Sequence, residues 1–259
     1  MNTDANTALI NFLVIMFRCL GFFALTPIFG RREIPVQVKV GLAGLASFIV
    51  LPLLTDTYFY GDDLWSFIAI IVKEVIVGLT MGYISLLIFS SLYLAGGVID
   101  MMMGFGIVNV MDTQSNTPIP LMGNFFYIMA ILIFLTANGH HVLIRCLVES
   151  FRIVPIGKAT FGSGFIAALF SAFSDMLIIA VKVCLPVISI VLLTDLALGL
   201  IARTVPHMNV FLVGLPIKIV AGIIGIMIML PLYITVLDVI FNLKYENIVS
   251  ILRGMWNGP

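Results

Sequence analysis

The side chains in this sequence that could do chemistry are ionisable groups set inside long apolar runs. Arg18, Lys73, Glu74, Asp100, Asp175, Lys182 and Asp195 all fall within or beside such runs, and Arg203 stands at a turn between two of them. A charge at the centre of a membrane helix costs about 2.5–3.5 kcal/mol on insertion scales, so each needs a partner, a wet cavity or a route to the headgroups. Three roles fit: pairing between helices or subunits, a proton or ion relay, and snorkelling to lipid headgroups. Lys73 and Glu74 are adjacent, project about 100° apart on a helix, and should find separate partners. Asp175 and Lys182 lie seven apart on nearly one face, separated by roughly 10 Å of rise, so a direct contact would need a bridging group. His140 and His141 follow Asn138-Gly139 at a helix end. Neighbouring imidazoles project to different sides and no further ligand stands at metal spacing, which leaves turn and cap roles. Cys19, Cys146 and Cys184 are single, without C-x-x-C pairing, and read as small buried hydrophobes. There is no G-x-S-x-G, H-E-x-x-H, phosphate-binding glycine loop or catalytic carboxylate pair, so neither an enzyme nor a bound cofactor is expected.

A second constellation is the stretch Gly96 to Gly123, GGVIDMMMGFGIVNVMDTQSNTPIPLMG. Gly96, Gly97, Gly104 and Gly106 permit tight or left-handed backbone, and Pro118 and Pro120 lack donors, so the stretch is not expected to be a simple helix. Irregular backbone at membrane depth is tolerated where protein buries it or water lines it. Met101, Met102, Met103 and Met111, with Phe105, Ile107, Val108 and Val110, make its surface soft and apolar. Such side chains serve either as core filler or as a constriction that closes a pore by dewetting.

The elements that carry these residues follow from composition. Hydrophobic residues are 61% of 259 and charged residues 10%, with mean hydropathy +1.19, against about 45–50% and about 25% in soluble domains. This is an integral membrane protein. Thirteen basic and 13 acidic residues leave no net charge and no basic cluster for nucleic acid. Asp4 and the lack of Lys or Arg before the first apolar run argue against a cleaved secretory signal. Apolar stretches run about from Ala8 to Phe29, Val40 to Leu54, Leu64 to Gly97, Leu121 to Ala137, Phe165 to Ala202 and Met208 to Phe241. They lack the alternation of a barrel and must be helices, which satisfy their own backbone groups. A crossing takes about 20 residues; the second stretch is marginal, while those starting at Leu64 and Phe165 are far longer than one straight crossing, and Pro186 could kink the latter. The fold class is therefore all-α integral membrane, about six partly broken helical segments arranged as hairpins. Arg31, Arg32 and Lys39 place the first connection inside, against Asp56, Asp62 and Asp63 in the second, although Arg145, Arg152 and Lys158 do not fit a clean zigzag. Gly78-Leu-Thr-Met-Gly82 allows a neighbouring helix to approach closely. In the tail from Asn242 to Pro259, Ile248, Ile251, Leu252 and Trp256 have helical spacing among Lys244, Glu246 and Arg253, as in a helix lying on the membrane surface or on a partner.

Leu196 to Lys218 breaks one apolar run with the turn Arg203-Thr-Val-Pro206-His207 and resumes it with Met208-Asn209-Val210-Phe211 and Gly214-Leu215-Pro216. This wording resembles the FliR family of the flagellar type III protein export gate. Further words in the same order extend the resemblance along nearly the whole chain: Arg18-Cys-Leu-Gly21, Thr26-Pro-Ile-Phe-Gly30, Ile34-Pro35, Lys39-Val-Gly41-Leu-Ala43, Gly97-Val-Ile-Asp100, Met103-Gly104, Asn138-Gly139-His140 and Val154-Pro155-Ile156-Gly157. The resemblance implies a subunit of the bacterial inner membrane, within the flagellar basal body. It would be wound helically with FliP and FliQ type partners around a channel for unfolded flagellar proteins, alongside an FlhB type switch protein and membrane lipid. It implies hairpins raised largely out of the bilayer plane and a plug formed by the loop after Asp100. The corresponding layout is a single membrane domain: hairpins over 1–96, a plug loop over 97–123, hairpins over 124–241 and an amphipathic tail over 242–259. Two departures touch the plug: Met102 stands where the family often has Gln, and Ile107 and Val110 stand where it has aromatic residues. The competing readings are a secondary transporter with Asp100, Asp175, Lys182 and Asp195 as its relay, and the equivalent subunit of a virulence type III system.

Overall fold

The computed structural model describes residues 2–31, 33–54, 64–106, 120–205, 207 and 209–256. These are 86% helical, and no strand occurs among them. Seven helices carry them: α1 (Asn2–Leu25), α2 (Val36–Val50), α3 (Leu64–Met103), α4 (Leu121–Thr136), α5 (Gly139–Ile153), α6 (Ser163–Thr204) and α7 (Val210–Gly254). Five stretches among them are long and apolar enough to cross a membrane. A sixth arises if α4 and α5, separated by a break at Asn138, are taken together. Asn138 sits in left-handed backbone with φ 56°, a conformation that Asn tolerates better than most residues. At 40, 42 and 45 residues, α3, α6 and α7 are each roughly 60 Å or longer, about twice a hydrocarbon core. Pro186 lies inside α6 without ending it, and Pro216 and Pro231 do the same in α7.

The chain divides into two compact units, residues Met1–Ile88, Asn138–Phe173 and Phe241–Pro259 in one and Phe89–Ala137 and Ser174–Ile240 in the other. In the first, α1 crosses α3 where neither helix has side chains to keep them apart. A methyl group at Gly78 would strike the carbonyl oxygen of Arg18, one at Gly21 the carbonyl of Val75, and one at Gly82 the carbonyl of Phe22. The Gly78-x-x-x-Gly82 pair is thus a backbone-to-backbone seam, flanked by the buried Ile15, Phe22, Val77 and Met81. The tail departs from expectation. It is the end of α7 and not a separate surface helix, and Ile248, Ile251, Leu252 and Met255 are buried within this unit. The Thr160 N–H and hydroxyl both donate to the Met255 carbonyl at 2.8 Å, and the Lys158 ammonium stands 5.5 Å from the Trp256 ring centre. Its apolar spacing serves the protein's own core, which a lone amphipathic pattern does not distinguish from a membrane face.

The second unit corrects the reading of Gly96 to Met103, which is the last turns of α3. An interior glycine costs a helix up to about 1 kcal/mol relative to alanine. Here Gly96 uses its missing Cβ to lie directly on Gly123 of α4, a contact any side chain would block. The helix ends at Gly104, whose φ of 89° belongs to glycine. Gly104 N–H donates to Asp100 O at 3.1 Å and Phe105 N–H to the same oxygen at 3.0 Å, closing the orphan carbonyls of the last turn. Elsewhere in this unit the Phe126 and Tyr233 rings pack with centres 5.0 Å apart, and the Tyr233 hydroxyl donates to the Phe126 carbonyl at 2.9 Å.

Candidate functional site

The end of α3 faces a groove of about 700 Å³ in the second unit, lined by Met101, Met102, Gly104 and Gly106 and by residues of α6 and α7: Asp195, Leu198, Gly199, Gly214, Leu215 and Lys218. Met101 is 77% exposed and Met102 38%. Met103 points the other way. It is fully buried, and its thioether fills the space left by Gly222, so it belongs to the core and cannot line the groove. Phe105 is half-buried outside the groove lining. Ile107, Val108, Val110 and Met111 lie outside the described residues, as do Pro206 and Met208.

α6 ends at Thr204 and α7 begins at Val210. Asn209 precedes α7, and its side-chain oxygen accepts the Leu212 N–H at 3.3 Å, the bond of an N-cap. Phe211, Gly214 and Pro216 all fall in the first turns of α7. Across the hairpin, Lys218 pairs with Asp195 at 2.5 Å, the side chains 29% and 36% exposed. Lys218 was not singled out in the sequence, although a signal for it exists. Asp195 stands nine residues before the end of α6 and Lys218 eight after the start of α7, so a hairpin must bring them level.

The other intramembrane charges divide by surroundings. Arg18 and Glu74 are fully buried and paired at 2.5 Å through Nε and Oε2. The guanidinium also donates to the carbonyls of Ser150 and Val154, both at 3.0 Å, and lies 4.2 Å from the Phe151 ring centre. Glu74 Oε1 accepts the Gly157 N–H at 2.9 Å, while the neighbouring Lys73 donates to the Gly157 carbonyl at 3.4 Å. Lys73 and Glu74 therefore bond different groups, the Gly157 carbonyl for Lys73 and Arg18 with the Gly157 N–H for Glu74. This cluster ties α1, α3, α5 and the turn after α5 together. A buried pair in which each nitrogen and oxygen has a hydrogen-bond partner is a structural fixture that is costly to break from one side.

Asp100, also buried, meets no cation among the described residues. Its carboxylate accepts the Met122 N–H at 2.9 and 3.1 Å, and Gly123 N–H lies at 3.5 Å. Asp175 is half-buried and Lys182 exposed, and neither forms an ion pair among the described residues. No hydrogen bond there joins Asp100, Asp175, Lys182 and Asp195 into a chain. Arg203 is exposed in the last turn of α6. The cysteines are all buried. The His140 and His141 rings, expected to diverge, lie in contact, tilted by 43° with centres 4.1 Å apart; in a first helical turn no preceding turn restricts χ1.

Residues 9–243 match the family described as Bacterial export proteins, family 1. The chain is 35% identical over 244 residues to the Flagellar biosynthetic protein FliR of Bacillus subtilis (strain 168), covering 93% of this chain and 94% of that one. It is 29% identical over 242 residues to the protein of the same name from Escherichia coli (strain K12), covering 93% and 92%. To that of Aquifex aeolicus (strain VF5) it is 31% identical over 224 residues, covering 86% of each.

Proposed function

The chain belongs to the FliR family of bacterial export proteins, and from that premise we propose that it is a subunit of the flagellar type III protein export gate in the bacterial inner membrane. With FliP and FliQ type partners it encloses a channel for unfolded flagellar proteins, next to an FlhB type switch protein. The segment following α3 seals that channel between substrates. The observation that carries this reading is the exposure of Met101 and Met102 beside Gly104 and Gly106, on the wall of an open groove. Methionine is unbranched and polarizable, so such a wall can close on itself, exclude water and ions, and reshape around chains of any sequence. Helices twice the hydrocarbon thickness suit an assembly raised partly out of the bilayer. Ile107, Val108, Val110 and Met111 complete the seal in this proposal, while Met103 serves the core.

No bond chemistry is assigned to the chain, and the energy for export comes from other components. The test is deletion of Gly106 to Asn116 in the gate assembled with its partner subunits, followed by measurement of ion leak across vesicles. A large rise in conductance is expected. Unchanged conductance in an intact assembly would remove the sealing role.

A further inference from the structure

Asp100 is set at the stem of the segment between Gly106 and Pro120, and its bonding is unusual for an intramembrane acid. It lies in α3, four residues before the glycine that ends that helix, yet its carboxylate caps a different helix. In α4 the N-cap position is Pro120, with φ −61° and ψ 121° and no side-chain capping bond. Met122 and Gly123 are the second and third residues of α4, whose N–H groups an Asp or Ser at the N-cap ordinarily satisfies. Asp100 supplies that cap from 22 residues away. Beside it Gly96 lies on Gly123, so the two helices touch through backbone as well as through the carboxylate.

From this geometry we infer that Asp100 is a positioning residue, a tether that fixes where the sealing segment leaves α3 and where it re-enters at α4. Both ends of the segment are held by one residue: the Asp100 main-chain carbonyl closes the turn at Gly104 and Phe105, and the Asp100 carboxylate holds Met122. A seal that must return to one position after each substrate needs fixed ends, and a negative charge aimed at a helix N-terminus supplies one without a cation. The tether is read from the geometry itself; its consequence for sealing rests on the export-gate reading.

Two measurements on the assembled gate separate these claims. The first is amide hydrogen exchange. First-turn amides have no partner within their own helix, so protection at Met122 and Gly123 depends on Asp100. In Asp100→Ala their exchange should accelerate roughly ten- to a hundredfold, the weight of a hydrogen bond to a charged acceptor. Unchanged exchange there overturns the tether. The second is potassium leak from vesicles of phosphatidylethanolamine and phosphatidylglycerol, comparing wild type, the Gly106 to Asn116 deletion, Asp100→Ala, and Asp100→Ala with Pro120→Asp. The last variant gives α4 a local cap while leaving it untied from α3. Leak in Asp100→Ala that persists with Pro120→Asp supports positioning. A tight Asp100→Ala gate, or one resealed by Pro120→Asp, reduces Asp100 to a capping group and overturns the inference. If the deletion itself does not leak, the sealing reading falls while the exchange result still judges the tether. Should Asp100→Ala fail to assemble, Asp100→Asn keeps one acceptor oxygen and carries the same comparison, with an intermediate gain in exchange and leak expected.

Discussion

Replacing Arg18 by methionine should be the most damaging single change in the first unit, and its size follows from the groups it strands. The guanidinium neutralises Glu74, donates to the Val154 carbonyl and adds a bond to the Ser150 carbonyl, all at sites with no exposure to solvent. Without it Glu74 keeps the Gly157 N–H alone, as an uncompensated buried carboxylate. The Ser150 carbonyl still accepts the Val154 N–H at 2.9 Å, but the Val154 carbonyl loses its partner. Removing one member of a buried pair costs about 3–5 kcal/mol, and replacing Glu74 by leucine should cost a similar amount. The double change Arg18→Met with Glu74→Leu removes both charges and strands two neutral groups, the Val154 carbonyl and the Gly157 N–H, at about 1–3 kcal/mol each. The double variant should therefore lose several kcal/mol less than the sum of the singles. The assay is SDS unfolding in mixed micelles, followed by fluorescence of Trp65 and Trp256, on all four proteins of the cycle. A coupling below about 1 kcal/mol, within reach of an exposed pair, would refute the claim that these side chains stabilise one another as a buried unit.

Two further outcomes are expected beyond those set out for the loop deletion and for Asp100. Gly78→Ala should destabilise by roughly 2 kcal/mol or more, since the added methyl meets backbone of α1, whereas Gly41→Ala, with nothing within 4 Å of its new Cβ, should stabilise by about 0.5–1 kcal/mol; the same unfolding assay ranks them, and an equal effect at both would contradict the seam. Asp195→Lys or Lys218→Asp alone should cost no more than about 1 kcal/mol because the pair is a third exposed, and the exchanged pair Asp195→Lys with Lys218→Asp should recover it; failure to recover would show that another group, and not the partner across the hairpin, holds each charge.

The helices were legible because hydrocarbon admits few backbone solutions, and the hairpin at Arg203 to Asn209 because a basic turn with proline interrupts an otherwise unbroken apolar run. Glycine is where the reading of local structure failed. Gly96 and Gly97 look the same in sequence whether they loosen the chain or admit a neighbouring helix, and only the position of Gly123 decides between them. The cluster at Arg18 was legible as a set of charges needing partners but not as a network, since three of its partners are main-chain carbonyls and one is a main-chain N–H. The same holds for Asp100, whose partners are amides of α4. Among the groove residues, Lys218 was not singled out in the sequence, because its partner is found by counting back from a turn rather than by composition.

The unit that contains α1 is assembled from the first 88 residues, a middle segment and the last 19, and residues 248–255 supply part of its core. A ribosome makes residues 248–255 long after the helices they pack on, when those helices have already met the insertion machinery. Until they arrive, the surface that receives Ile251, Leu252 and Met255 stands bare, and a chain stalled short of that point is an incomplete unit with sticky apolar flanks. Quality control in the membrane thus has a chemical mark by which to tell such stalled copies before they can join an assembly.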